Sequence, residues 1–147
     1  MKLGDFLENL SGSVENPEDL VSAIEEATHF GMNHLYILIS RSGSRAVLVL
    51  HINPYTEDLL SLVMIIPIGC GDRAPSIEEA GMLARRLGGA IMATGDCSYI
   101  LVGYDQNMDL SRFIETIFGA ISPGSWGLLR VEDYSYDLLS LYQEDLG

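Results

Sequence analysis

The stretch that most constrains this chain is residues 35–68, LYILISRSGSRAVLVLHINPYTEDLLSLVMIIPI. It holds three apolar runs, 35–40, 46–52 and 60–68, rich in Leu, Ile and Val and separated by turn-type residues, a pattern that predicts three β-strands. Apolar residues occupy both alternating sets in each run. Leu35, Ile37 and Ile39 oppose Tyr36 and Leu38; Ala46, Leu48, Leu50 and Ile52 oppose Val47 and Val49; Leu62, Met64 and Ile66 oppose Val63 and Ile65. A sheet with one wet face alternates apolar with polar residues. This sheet therefore needs cover on both faces, from its own helices, from a partner chain, or from both.

A chain of 147 residues suits one domain with a real core. A hydrophobic content of 48% and a mean hydropathy of +0.21 are high for a small soluble protein. Even so, no apolar run approaches the roughly 20 residues that span a bilayer. The start, MKLGDFLENL, carries acids and lacks a signal-type apolar core, which makes the cytoplasm the expected location. Two lone cysteines, Cys70 and Cys97, are then expected to be reduced. The net charge of −13 sits mainly at the ends: −6 over residues 1–30, −2 over 31–130 and −5 over 131–147. Phosphate-bearing partners need neutralising Lys and Arg, so nucleic acid and anionic membrane are not expected partners. The charge serves solubility, or it attracts a polypeptide with a basic segment.

Along the chain, Leu3, Phe6, Leu7 and Leu10 predict a short amphipathic helix, broken by Ser11, Gly12 and Ser13. Asn16 as N-cap and Pro17 at the first position open a helix over about residues 17–30. After the three strands, Ser76 and Glu79 match a capping box for a helix over 77–87, ended by Gly88 and Gly89. Residues 90–94 and 98–104 flank Gly95-Asp96 as a second hairpin, and Asp109 caps a helix over 110–121. A competing assignment makes residues 56–63 helical. Pro67 marks an edge, a bulge or a strand exit. The expected fold is a single α+β domain, 1–147, with a five-stranded, mostly antiparallel sheet in the order α-α-β-β-β-α-β-β-α. Residues 1–16 form an N-terminal helix extension. Residues 125–147 form an acidic tail, whose Tyr134, Leu138, Leu141 and Tyr142 suggest a short docking helix over 133–147.

No complete catalytic or cofactor motif is present, and His29, His34, His51, Cys70 and Cys97 show no metal-ligand spacing. Two surfaces are candidates. The loop 69–76 offers Gly69, Gly71, Arg73 and Ser76 at a helix N-terminus, a setting that suits an anion or nucleotide phosphate, although the Walker lysine and spacing are missing. Its bland reading is an ordinary strand-to-helix turn. Sheet residues Val47, Val49, Val63 and Ile65, with Phe113 and Phe118 of the last helix, are candidates for binding a partner. Arg41 and Arg45 flank a Ser-Gly-Ser hairpin loop, either as solvated edge charges or as a contact for an acidic group.

The block 35–68, the helix 77–87, the hairpin AIMATGDCSYILVGYD at 90–105 and the helix DLSRFIETIFGAI at 109–121 together resemble the YbjN-like and type III secretion chaperone-like group. That group has an α-β-β-β-α-β-β-α fold. The resemblance implies a cytosolic homodimer that binds other polypeptides without nucleotide. The extension 1–16 and the tail 125–147 depart from its pattern. The favoured reading is thus a non-catalytic, acidic, dimeric protein-binding domain with no cofactor, chaperone-like or regulatory. Its alternative is a small-molecule or nucleotide-phosphate binding domain, enzymatic or not, that uses the loop 69–76.

Overall fold

The computed structural model describes residues 1–136. Its elements are helices α1 (Leu3–Ser11) and α2 (Pro17–His29), strands β1 (His34–Arg41), β2 (Ser44–Asn53) and β3 (Asp58–Cys70), a 3-10 turn (Gly71–Arg73), helix α3 (Ile77–Leu87), strands β4 (Ala90–Thr94) and β5 (Cys97–Gly103), helix α4 (Leu110–Ile121) and strand β6 (Arg130–Ser135). The strands form one sheet in the order β4-β5-β3-β2-β1-β6, and every neighbouring pair is antiparallel. The α+β class and the antiparallel sheet are as the residue pattern predicts, but the sheet has six strands. No helix among the described residues is long and apolar enough to cross a membrane.

Residues 56–63 are not helical. Asn53 Oδ1 accepts the backbone N–H groups of Tyr55 and Thr56, and Glu57 takes a positive φ of 59°, so the chain turns tightly and enters β3 at Asp58. An Asn side chain that caps its own turn is a local device that reverses a chain without helix. Pro67 lies where the β3–β5 register shifts, between Pro67 and Gly69, and the pairing of β3 with β2 stops at Ile65. Its missing N–H therefore costs no ladder bond on the β2 side.

All four described helices pack on one face. There Leu35, Ile37 and Ile39 of β1, Leu48, Leu50 and Ile52 of β2, and Leu62, Met64 and Ile66 of β3 meet Phe6, Leu10, Leu20, Ile24, Phe113, Ile117 and Phe118. Each such side chain, fully buried, contributes about 1.5–3 kcal/mol of transfer free energy.

The segment after α4 corrects the expected tail helix. Residues 130–135 form β6, which pairs with β1; the rest of the predicted 133–147 helix, with Leu138, Leu141 and Tyr142, falls on 137–147, outside the described residues. The strand is held by the loop before α2. Asn16 does not cap α2 with its side chain. Its Oδ1 instead accepts from the Val131 N–H at 2.8 Å, and its Nδ2 donates to the Val131 carbonyl at 2.7 Å. Beside it, Glu15 N–H donates to Leu129 O and Leu129 N–H to Ser13 O. The Asn16 side chain thus acts as one rung of a sheet and closes that edge of β6. Further on, the Tyr134 and Tyr136 hydroxyls donate to the two oxygens of Glu26 on α2, at 3.4 and 3.3 Å.

Asn16→Ala leaves a buried N–H and C=O of Val131 without partners, which costs about 1–3 kcal/mol; urea unfolding at constant m-value measures it. Burial, and then the charge of Glu26, raise both phenols above their ordinary value. A raised native value means stability that is complete below pH ~10 and lost as the pH rises through the native ionisation. Absorbance titration at 295 nm is expected to show four late tyrosines, Tyr99, Tyr104, Tyr134 and Tyr136, and Glu26→Gln to bring down the ionisation of Tyr134 and Tyr136 alone.

Candidate functional site

Among the described residues, strands alone build the second face of the sheet. Its central row runs Leu38, Val47, Ile65, Leu101 across β1, β2, β3 and β5, and the next row runs Tyr36, Val49, Val63, Gly103. Tyr99 of β5 opposes Met92 of β4 on the same face. Leu38, Val47, Ile65 and Tyr99 form a second apolar cluster, ringed by the partly buried Tyr36, Val49, Val63, Met92, Cys97 and Leu101. No described helix contributes a side chain to it. Burial, and then the Asp96 charge, push the Tyr99 phenol up. Polar residues bound the cluster: at one end Arg45 pairs with Glu132 at 3.0 Å, and at the other the rings of His34 and His51 stack 4.5 Å apart.

This face joins Val47, Val49, Val63 and Ile65, four residues expected to bind a partner. It does not include Phe113 and Phe118. Both lie in the helix-covered core, Phe113 edge-on to Tyr104 at 5.3 Å and Phe118 fully buried. Helical periodicity identifies a wide apolar face on α4 but cannot say which side of the sheet it covers. Arg41 and Arg45 also part company. Successive strand side chains point to opposite faces, so Arg45 borders the second face while Arg41 is buried on the first. There its guanidinium bonds Glu115 at 2.9 Å and lies 5.5 Å from the Phe118 ring centre. The acidic contact considered for this loop is thus made internally by Arg41.

Gly69, Gly71, Arg73 and Ser76 lie together in one turn. Gly69 has a φ of 140°, and a Cβ there would sit 2.3 Å from the Arg73 carbonyl oxygen, so no other residue fits. The Gly71 N–H donates to Asp96 O, and the Ala74 N–H to Gly71 O. Ser76 forms the expected capping box: its Oγ accepts from the Glu79 N–H at 3.1 Å and donates to Glu79 Oε1 at 3.2 Å. These N–H groups are engaged within the chain, and Arg73 is exposed, with Asp72, Glu78 and Glu79 close to it in sequence.

The sequence-based expectation of reduced cysteines differs from the structure. Cys70 and Cys97 occupy opposed positions on β3 and β5 and form a disulfide across the pair, with Cα atoms 3.9 Å apart. Their separation of 27 residues hides this, because only the β3–β5 register brings them together. A cleft of about 620 Å³ between α3, β5 and α4 also escaped sequence reasoning; Leu87, Val102, Met108 and Phe113 line it, with Asp105, Asp109 and Arg112 among its polar residues. Among the described residues no three His, Cys, Asp or Glu side chains converge as a metal site.

No known protein family, curated protein or solved structure matches the chain.

Opening the disulfide by Cys97→Ser frees a loop of this length in the unfolded chain and is expected to cost about 3.5 kcal/mol. Urea unfolding of the two proteins measures the loss. Thiol labelling of the native wild type is expected to find no reactive cysteine until a reductant is added.

Proposed function

We propose that the chain is a non-catalytic binding domain that acts as a homodimer and holds an apolar segment of another polypeptide on the second face of its sheet. The observation that carries the reading is the half-buried apolar ring of Tyr36, Val49, Val63, Met92 and Leu101, set around the buried Leu38, Val47, Ile65 and Tyr99 and free of any described helix. Apolar surface gathered on one face of a sheet marks a place where another chain is bound. The half-buried ring of Tyr36, Val49, Val63 and Leu101 supplies aromatic and branched side chains to its rim. The net charge of −13 adds an attraction for segments that carry Lys or Arg, acting chiefly on the rate of encounter. The order of elements, similar to that of secretion-chaperone-like proteins, agrees with a chaperone-like or regulatory role. In the cytoplasm the Cys70–Cys97 pair would be held reduced by the thiol pool, and in an oxidising compartment it would stay closed.

The test is fluorescence anisotropy with a panel of labelled 15-residue peptides that alternate Leu or Val with Lys. Binding is expected for the apolar–basic members. Val49→Asp and Val63→Asp are expected to weaken it by about tenfold or more, as for charges placed in a desolvated contact. Higher salt should slow association more than it speeds release. Absence of binding across the panel, or binding indifferent to both substitutions in a folded protein, contradicts the reading. Stabilisation by inorganic phosphate that Arg73→Ala abolishes would instead favour an anion site in the loop 69–76.

A further inference from the structure

We infer that two copies of this chain join edge to edge through β4, with helix α3 of each copy packed against α3 of the other. The inference deepens the homodimer part of the reading above and does not depend on what the second face binds.

The two edges of the sheet differ sharply. β6 carries Arg130, Glu132 and Asp133, its pairing with β1 contains a register shift, and Asn16 engages both backbone groups of Val131. Charges, irregular pairing and a covering loop are the devices by which proteins keep a sheet edge from pairing with another chain. Among the described residues β4 has none of them. Its sequence is Ala90-Ile91-Met92-Ala93-Thr94, with no charge and no Pro, and its pairing with β5 runs without a break. Among the described residues it pairs with β5 alone. Ile91 is 44% exposed although it opposes the fully buried Ile100.

Helix α3 extends the same surface. Ala80 and Ala84 are its buried residues, and Glu79, Leu83 and Leu87 line clefts shared with α4. The opposite flank, beyond the outer edge of β4, carries Ile77, Gly81 and Arg85 at four-residue spacing. Ile77 is 87% exposed, and a Cβ on Gly81 would meet nothing within 4 Å. The first turn of α3 holds Glu78 and Glu79, and the last holds Arg85 and Arg86. The surface is therefore self-complementary. A two-fold axis through the middle of β4 runs β4 antiparallel to its copy, and it runs the two α3 helices antiparallel as well. The acidic turn of each helix then faces the basic turn of the other. A two-fold interface requires this self-matching of one patch. In a chain with a net charge of −13, this flank balances Glu78 with Arg85, so two copies meet there with opposite charges facing each other.

Sedimentation equilibrium of the full chain between 1 and 100 µM tests the inference, with circular dichroism confirming that each variant is folded. The wild type is expected to be dimeric. Ile91→Lys places a charge on the edge and is expected to raise the dimer dissociation constant by about tenfold or more. Arg85→Glu and Glu78→Arg are each expected to weaken self-association. An equimolar mixture of the two restores a dimer, because every reversed charge again meets its opposite. A dimer that persists unchanged in folded Ile91→Lys and Arg85→Glu overturns the edge-to-edge arrangement and leaves the homodimer reading standing. A monomeric wild type throughout the range overturns both. Loss of the dimer in the single variants without recovery on mixing contradicts the antiparallel α3 pairing.

Discussion

The rest of the structure depends on three neighbouring strands that are apolar on both faces. Such a sheet cannot be satisfied by one layer of helices, and the two faces are not equivalent. The face that the helices cover carries long side chains: Leu35, Ile37, Leu48, Leu50, Leu62, Met64 and Ile66. The other carries the β-branched Val47, Val49, Val63 and Ile65, interrupted toward its ends by His34, Arg45, His51 and Ser61. A one-residue slip of any strand would exchange these sets. It would thrust Arg45 or His51 toward α1, α2 and α4, and would turn Leu48 or Leu50 away from them. Register is therefore specified by a few polar residues rather than by simple alternation.

The helix layer in turn depends on how the chain ends are tied to this sheet. Lys2 bridges to Asp58, with its Nζ 2.9 Å from Asp58 Oδ1 and 3.0 Å from the Thr56 carbonyl, and this contact lowers the Asp58 carboxyl below its ordinary range. The Leu3 N–H donates to Glu57 O, and the Leu59 N–H to Met1 O. The start of α1 is thus fastened to the β2–β3 turn, and the loop after α1 to β6. Helices α1 and α2 are clamped at both sides of the sheet by backbone bonds, whereas α3 lies over the strand at the opposite edge. The edge that these ties protect is β6; among the described residues β4 has no such ties.

Much of this was legible in the residues. The apolar runs locate β1, β2, β3 and β5, and the cap at Ser76, the left-handed Gly88 and the cap at Asp109 place α3 and α4 within a residue of their ends. β6 was not legible, for a physical reason. Arg-Val-Glu-Asp-Tyr-Ser is polar at most positions, as suits an edge, and what makes it a strand is the β1 ladder and the Asn16 side chain rather than its own pattern. Asn16 misled for the same reason: before a Pro-initiated helix an Asn is a good cap, but here its amide has a stronger claim 115 residues away. Of the candidate sites, the valines of β2 and β3 share a face because strand alternation is a local rule. Phe113 and Phe118 do not join them, because which side of a sheet a helix takes is decided by the connections and not by the helix.

The charge of the chain acquires a location once the faces are known. Residues 1–30 carry −6, and they form α1 and α2, which pack on the first face. The described charged and ring residues that border the second face are the two stacked histidines, the Arg45–Glu132 pair, Asp133 opposite Leu38, and Asp96, whose charge reaches Tyr99. At physiological salt, fields decay over about 8 Å, a distance comparable with the spacing of packed layers, so the helix side stays strongly negative while the second face feels a weakened field. The acids of α1 and α2 therefore concentrate on one side of the sheet. The half-buried apolar ring of the strand face lies on the other side of the sheet from the acids of α1 and α2.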